Sequence, residues 1–330
     1  MNVICFSPEA DRFKEFLEFP KLLFPLRSLK EDYPQSLIET CFAVVSDDNM
    51  LGRIAVYKDN GLRYQHLPAR AAGNFHCINN VAVAKLLLDA AANYAKHSGA
   101  KYLVGPLNGN TWHHYRFIEN TDPPLFFTET WNPEYYPELW RKNGFEQCAL
   151  YHSNIDHNPG ASSDEAETDI LRFKNIGIRF RNINTLDFEN ECRSIHSLSE
   201  KAFSGNAFFT PEEFPAFYAK YQNVLPFIDP ELVIIAENQD KEMVGFSFGI
   251  ADVLNPDLKR MVLKTVARVP GDALSGLGNI LIYLLRKKAA EKGYKSVIHA
   301  FFNNSGATAK LTRDYSGKLM RTYTLFARKC

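Results

Sequence analysis

The run from Met261 to Asn304 constrains the fold of this chain more than any other part of it. It reads as strand (MVLKTVARV), glycine-bearing loop (PGDALSGLG), helix (NILIYLLRKKAAEKG) and strand (YKSVIHAFFNN) without interruption. Gly276 and Gly278 therefore stand at a helix start, and neither has a Cβ to keep the backbone away from a ligand. The first four N–H groups of a helix have no partner within it, and the helix dipole adds partial positive charge there. A pyrophosphate can be held by such amides without a basic side chain. The loop carries no Walker lysine. A G-x-G pair alone is common in ordinary loops, so the order of elements around it is what points to a phosphate-binding turn.

The pattern upstream fits the same unit. Residues 232–238 (LVIIAEN) and 243–254 (MVGFSFGIADVL) read as strands, the second alternating Val244, Phe246, Phe248 and Ile250 inward, with NQDKE as the hairpin turn between them. Residues 188–221 read as helical around a loop at SGNAFFTPEEF, where Thr210 is expected to cap and Pro211 to occupy a first turn. In the helix after Gly278, Ile280, Leu281, Leu284 and Leu285 share one face, with Arg286, Lys287, Glu291 and Lys292 away from it. The expected class is α/β, a mixed sheet with helices on its faces.

At 330 residues the chain is long for one core, so two domains are expected. Residues 154–169 (NIDHNPGASSDEAETD) combine Pro, Gly, Ser and acidic residues with little apolar content, as a linker does. We divide the chain into 1–155, a linker at 156–169, and 170–330. A similar unit recurs on both sides: VAVAKLLLDAAANYAKHSG ends at Gly99 and feeds AKYLVGP, while the later helix ends at Gly293 and feeds YKSVIHAFF. This suggests internal duplication.

Charge is balanced, with 38 basic and 38 acidic residues, which argues against a nucleic-acid or anionic-membrane partner and for a small ligand. The six cysteines (Cys5, Cys41, Cys77, Cys148, Cys192, Cys330) show no C-x-x-C and no zinc spacing, so they are expected as reduced, mostly buried thiols and no metal is expected. The opening MNVICFSPEADRFKEF lacks the basic flank and apolar centre of a signal peptide, and no run approaches transmembrane length, so the expected location is the cytoplasm.

With these elements in order, the second half resembles the GNAT superfamily of acyl-CoA-dependent N-acyltransferases over about 261–323. Pro270 lies six residues before Gly276, Gly278 supplies the second glycine, and Asn304 and Ala307 fit the asparagine and alanine that follow the next strand in that family. Two positions depart from it. Ala273 stands where the family has Gln or Arg, and Leu311 where a tyrosine acid is usual, with Tyr315 one helical turn later on roughly the same face. The first half is similar to the N-terminal parts of tandem or extended GNAT-like proteins, through Gly105, Pro106 and Asn108, then Tyr115, Arg116 and Phe117, then Asn132, Pro133, Tyr135, Tyr136, Gly144 and Phe145. It has no glycine pair between Asn80 and Leu86, so it reads as a degenerate copy that shapes a substrate cleft.

The resemblance implies two domains of the acyl-CoA N-acyltransferase fold, with acetyl-CoA or another acyl-CoA as co-substrate and a small-molecule or peptide amine as acceptor. The implied coenzyme contacts are Arg268, Val269, Ser275, Gly276, Leu277, Gly278, Asn279 and Asn304, with an oxyanion donor among the amides of 266–269. Tyr315 is the implied acid for the leaving thiolate. His299, in the middle of SVIHAFF, is the candidate base or else a buried core residue, and Glu237 and Asp252 are alternatives at strand ends. The stretch TWHHYRFIENTDPPLFFTETWNPEYY, with Trp112, His113, His114, Tyr115, Trp131 and Tyr135, either lines an amine pocket or packs the two halves together. A non-catalytic acyl-CoA or metabolite sensor and a tRNA-dependent aminoacyl transferase are the other readings.

Overall fold

The structure, a computed structural model, describes residues 1–27, 33–303 and 317–330. In the first half, β1 (Asn2–Phe6), α1 (Phe13–Leu23), β2 (Ile38–Ser46), β3 (Asn49–Tyr57), β4 (Arg63–Tyr64) and β5 (Leu67–Cys77) lead into α2 (Val81–His97). Then follow β6 (Tyr102–Gly105), β7 (Phe117–Ile118), α3 (Tyr135–Lys142) and β8 (Glu146–Asp156). The second half runs α4 (Asp164–Asn175), β9 (Arg179–Asn182), α5 (Phe188–Phe203), α6 (Phe214–Gln222), β10 (Val233–Glu237), β11 (Met243–Ala251) and β12 (Arg260–Arg268). It ends with α7 (Leu277–Glu291), β13 (Ser296–Asn303) and β14 (Lys318–Lys329).

The two halves repeat one plan but share one sheet, ordered β1, β2, β3, β5, β6, β14, β8, β13, β12, β11, β10, β9. Each half's last strand crosses into the other: β14 pairs with β6, β8 pairs with β13, and β8 and β14 pair with each other from Lys318↔Ile155 to Ala327↔Glu146. Helix α2 lays Leu87, Leu88 and Ala91 on one face, and α7 lays Leu277, Leu281 and Leu285 on the same face further along. Helices α1, α5 and α6 cover the other face, where the cores around Tyr151 and Ile155 of β8 run together. Since Tyr151 and Ile155 are an even number of residues apart on β8, their side chains lie on one side of the sheet.

Both helices on the first face stop at a left-handed glycine, Gly99 at φ 87° and Gly293 at φ 83°, as the sequence suggested. Several expectations need correction. The stretch read as a linker is not extended throughout: from Asp164 it is α4, capped by Ser163 and packed against α7, because Ala166, Ile170 and Phe173 supply an apolar stripe between its charges. Thr210 does not cap a helix and Pro211 is not in a first turn. Helix α6 begins at Phe214 with Pro215 in its first turn, and the Thr210 hydroxyl accepts from Asn60 Nδ2 at 3.0 Å. Arg286 does not point to solvent. It is 4% exposed and bonds Asp156 at the end of β8, so an ion pair outweighs its place on the helical wheel.

Candidate functional site

Strands β12 and β13 run parallel for four residue pairs, from Arg260↔Ser296 to Leu263↔His299, and then separate. Both are irregular at that point. Opposite β11, the register jumps from Gly249↔Leu263 to Phe248↔Thr265, so Lys264 has no partner and forms a bulge. Opposite β8, it jumps from His299↔Asn154 to Phe302↔His152, and Phe301 takes φ 59°. Beyond the bulges β12 stays with β11 and β13 stays with β8, which opens a cleft in the middle of the sheet. Along a regular strand, successive N–H groups point to alternate edges. The Val269 N–H bonds Val244 O on β11, so the amides of Arg268 and Val266 point the other way, into the cleft.

The loop after β12 brings a helix start to the mouth of this cleft. Arg268 braces it by donating to Val269 O and Gly271 O at 2.9 and 2.8 Å. The Ser275 amide bonds Asp272 O, and the amides of Asn279 and Ile280 bond Gly276 O. Between Ser275 and Ile280, that leaves the N–H groups of Gly276, Leu277 and Gly278 without an acceptor among the described residues. Gly276 caps α7 at φ 90° with no side-chain cap. Arg172 of α4 reaches over the turn: its Nη2 donates to Ser275 O at 3.2 Å, and its Nε pairs with Asp169 at 2.9 Å. A cation from another helix thus stands where Ala273 lacks one.

The corresponding helix of the first half starts differently. Asn80 caps α2, and its Oδ1 accepts from the amides of Ala82 and Val83 at 2.9 and 3.2 Å. Those donors are already satisfied by the chain's own side chain, so an anion has nothing to bind there.

The residues singled out in the sequence divide as follows. Arg268, Ser275, Gly276, Leu277, Gly278 and Asn279 converge on the loop, but Val269 spends both its polar groups within the fold. Asn304 and Tyr315 lie outside the described residues. His299 is 3% exposed, and burial, with the Arg286 cation adding to it and Asp156 opposing, pushes its pKa down to about 4. A ring that stays neutral and shielded does not suit a base at neutral pH. Glu237 is ion-paired with Arg181 at 2.7 Å and Asp252 with Arg260 at 2.7 Å.

The aromatic stretch packs the halves together at several points. Trp112 Nε1 donates to Thr210 O at 3.1 Å, with the ring set among Phe203, Phe209 and Phe217, and His113 Nε2 meets Glu212 at 2.8 Å. Trp131 and Tyr135 instead stay within the first half, where Trp131 packs on Phe24 and Tyr135 donates to Cys77 O. Its middle faces the cleft: the Tyr115 ring lies edge-on to Tyr151 at 5.5 Å, and Arg116 follows at φ 66°.

His299 makes stability depend on pH. Above the ordinary histidine value of 6.5 the ring is neutral in both folded and unfolded chains and contributes no slope. Below it the unfolded chain binds a proton that the native state refuses down to about pH 4. Stability is therefore expected to fall by about 2–4 kcal/mol across that window. Urea unfolding at stepped pH checks this, and His299→Asn is expected to flatten the slope. A wild-type curve with no fall between those values would show the ring to be protonated in the native state.

Lys264 and Arg116 are the cleft residues that sequence reasoning did not assign. Lys264 is half-buried over the Tyr221 ring, 5.4 Å from its centroid, and burial, with Arg116 nearby, lowers its pKa to about 8. Its one sequence signal is a lysine interrupting an apolar strand, which periodicity alone cannot separate from an edge position.

Among the described residues no group of three or more His, Cys, Asp or Glu is arranged to hold a metal, and no helix is long and apolar enough to cross a membrane. All six cysteines are free, and Cys41, Cys77 and Cys192 are buried.

No protein-family model matches the chain, and no curated protein matches it in sequence. Solved structures do. A GCN5-related N-acetyltransferase from Sphaerobacter thermophilus aligns over 99% of this chain and 95% of its own, at 12% identity and a TM-score of 0.52. A tandem GNAT protein from the clavulanic acid biosynthesis pathway aligns over 99% and 98%, at 9% identity and a TM-score of 0.53. The glucosamine N-acetyltransferase region of a fungal multi-domain β-N-acetylglucosaminidase aligns over 99% of this chain at 13% identity and a TM-score of 0.55, and this chain spans 38% of that protein. The chain shares the acyl-CoA N-acyltransferase fold of these structures, and its two halves repeat one plan.

Proposed function

We propose that this chain is an acyl-CoA-dependent N-acyltransferase whose second half, 170–330, holds acetyl-CoA or another acyl-CoA and whose first half, 1–155, is a non-binding copy that closes the acceptor side of the cleft. The observation that carries this reading is the contrast between the two equivalent helix starts: α2 is capped by its own asparagine, while α7 keeps three amides free behind a left-handed glycine. A diphosphate bound at Gly276–Gly278 would also meet the Arg172 guanidinium, which would have to exchange Asp169 for the phosphate.

The thioester then extends into the gap between β12 and β13. A neutral amine attacks the acyl carbon, forming the C–N bond. The oxygen of the tetrahedral intermediate is stabilised by the N–H of Val266 or Arg268, and the C–S bond breaks to release thiolate. Tyr315 is proposed to protonate that sulfur, as the family resemblance implies, with the proton that the attacking nitrogen sheds passing through solvent to restore the phenol, and Asn304 is proposed to contact the coenzyme. Non-catalytic acyl-CoA binding is the second reading. It is favoured by one observation: His299 is neutral and buried, and Glu237 and Asp252 are spent in ion pairs.

Two measurements test the proposal. Calorimetric titration with acetyl-CoA is expected to give one site per chain. Binding at two sites, or at none, would sink the assignment of the halves. Release of free thiol from acetyl-CoA across a panel of amines is expected to depend on the amine. Thiol release that no amine accelerates would leave only the sensor.

A further inference from the structure

Arg116 and Lys264 come from different halves of the chain and lie within electrostatic reach of each other at the cleft. The Arg116 guanidinium carbon lies 4.1 Å from the ring centroids of both Tyr115 and Phe301, 5.0 Å from Tyr151 and 5.3 Å from Tyr323. Ring contacts of this kind use the faces of a guanidinium and leave its in-plane N–H groups unbonded. Its Nη1 is shut off from solvent and has no hydrogen-bond acceptor among the described residues. Such a donor costs free energy unless a ligand completes it.

Lys264 stands close enough for the Arg116 charge to act on it, and it too has no ion-pair partner among the described residues. Two partly buried cations within electrostatic reach of each other repel. The carboxylate of Glu129, which bonds Tyr323, is already taken by Arg321 and by the Phe126 amide. The backbone at the site is held in rare conformations, with Arg116 and the Phe301 that touches it both at positive φ, 66° and 59°. Strain of that kind persists where the surroundings fix a functional geometry.

We propose that Arg116 and Lys264 bind a carboxylate on the acceptor side of the cleft, so that the amine acylated here carries a carboxyl group. A flat carboxylate takes two in-plane N–H bonds from a guanidinium confined between rings. The lysine of the β12 bulge adds a point charge on the same group. The inference rests on the acyltransfer reading only in calling the ligand the acceptor. The anion site itself stands on the two cations.

The test uses the full chain without coenzyme. Glycine, β-alanine and 4-aminobutyrate are titrated by calorimetry beside their amides, with inorganic phosphate as a further arm. At least one of the acids is expected to bind about tenfold or more tightly than its amide, as a desolvated charge pair requires. Arg116→Gln is expected to weaken that acid by about tenfold or more, Arg116→Lys by less, and Lys264→Met by a few-fold. If Arg116→Gln does not fold, Lys264→Met on the bulge decides by the same readout. Equal binding of acids and amides, binding of phosphate in preference to every acid, binding by none of the acids, or variants that bind as wild type does would each overturn the proposal. Acetyl-CoA titrated into the same proteins separates the two ideas. Coenzyme binding without carboxylate selectivity leaves the transferase reading standing, and carboxylate selectivity without coenzyme binding leaves this one.

Discussion

Replacing Gly276 by aspartate is expected to remove acetyl-CoA binding while leaving the fold in place. At φ 90° any side chain is strained, by about 1–2 kcal/mol. A Cβ there would lie 3.3 Å from the end of the Arg172 side chain, which can move aside. The structural cost is therefore small. The electrostatic cost is larger: a carboxylate about 5 Å from one phosphate charge, at an effective dielectric constant near 20, opposes binding by about 3 kcal/mol. That corresponds to more than about a hundredfold in affinity. Gly276→Ala carries the strain without the charge, so it is expected to lower the melting temperature and keep most of the affinity. Calorimetric titration of the three proteins separates the contributions, and aspartate at 276 binding acetyl-CoA as well as glycine does would move the coenzyme away from this loop.

The second large effect is expected at Arg321, whose side chain is wholly buried against the equally buried Glu129, with Nε 2.7 Å from Oε1. Its other nitrogens donate to Asn120 O at 2.6 Å and to Pro123 O at 2.5 Å, so one residue of β14 holds the inserted segment of the first half. Arg321→Met leaves a carboxyl group buried without its cation and is expected to cost about 3–5 kcal/mol. For a chain of this size that lowers the melting temperature by about 10 °C.

The pH dependence has a definite sign. Burial already raises the pKa of Glu129, with Arg321 opposing it. An acid whose folded pKa lies above its unfolded value loses stability as pH rises from the unfolded value to the folded one. Without Arg321 that window extends upward, so the variant is expected to lose more at pH 8 than at pH 5. Adding Glu129→Leu to Arg321→Met removes the stranded acid and is expected to recover much of the loss. A loss below about 1 kcal/mol that does not vary with pH would mean that water reaches the pair.

The reading of the sequence was most accurate where local chemistry decides conformation. The glycines after α2 and α7 and the turn at Asn238–Glu242 depend on residues within a few positions of one another, whereas the one-sided alternation expected along β11 gives way to a strand buried on both faces. It was least accurate where a distant partner intervenes. Arg286 looks solvent-facing on a helical wheel until Asp156 is brought to it, and the acidic run at 164–169 looks like a linker until α7 covers its few apolar residues. His299 carries no sign in its neighbours of how far burial lowers its pKa.

The site divides in the same way. The amides of Gly276–Gly278 were legible in the chain, because glycine at a helix start leaves main-chain donors open whatever surrounds it. The lack of a glycine pair between Asn80 and Leu86 was legible as well, whereas the capping of α2 by the Asn80 side chain appeared only in the structure. The cleft was not. It arises because β12 and β13 bulge at facing positions and then follow different neighbours, and because β8 and β14 cross between the halves. The β8–β13 and β14–β6 pairings join residues more than a hundred positions apart, so only the folded sheet brings Arg116 within electrostatic reach of Lys264, and only burial there keeps Arg116 Nη1 without an acceptor among the described residues.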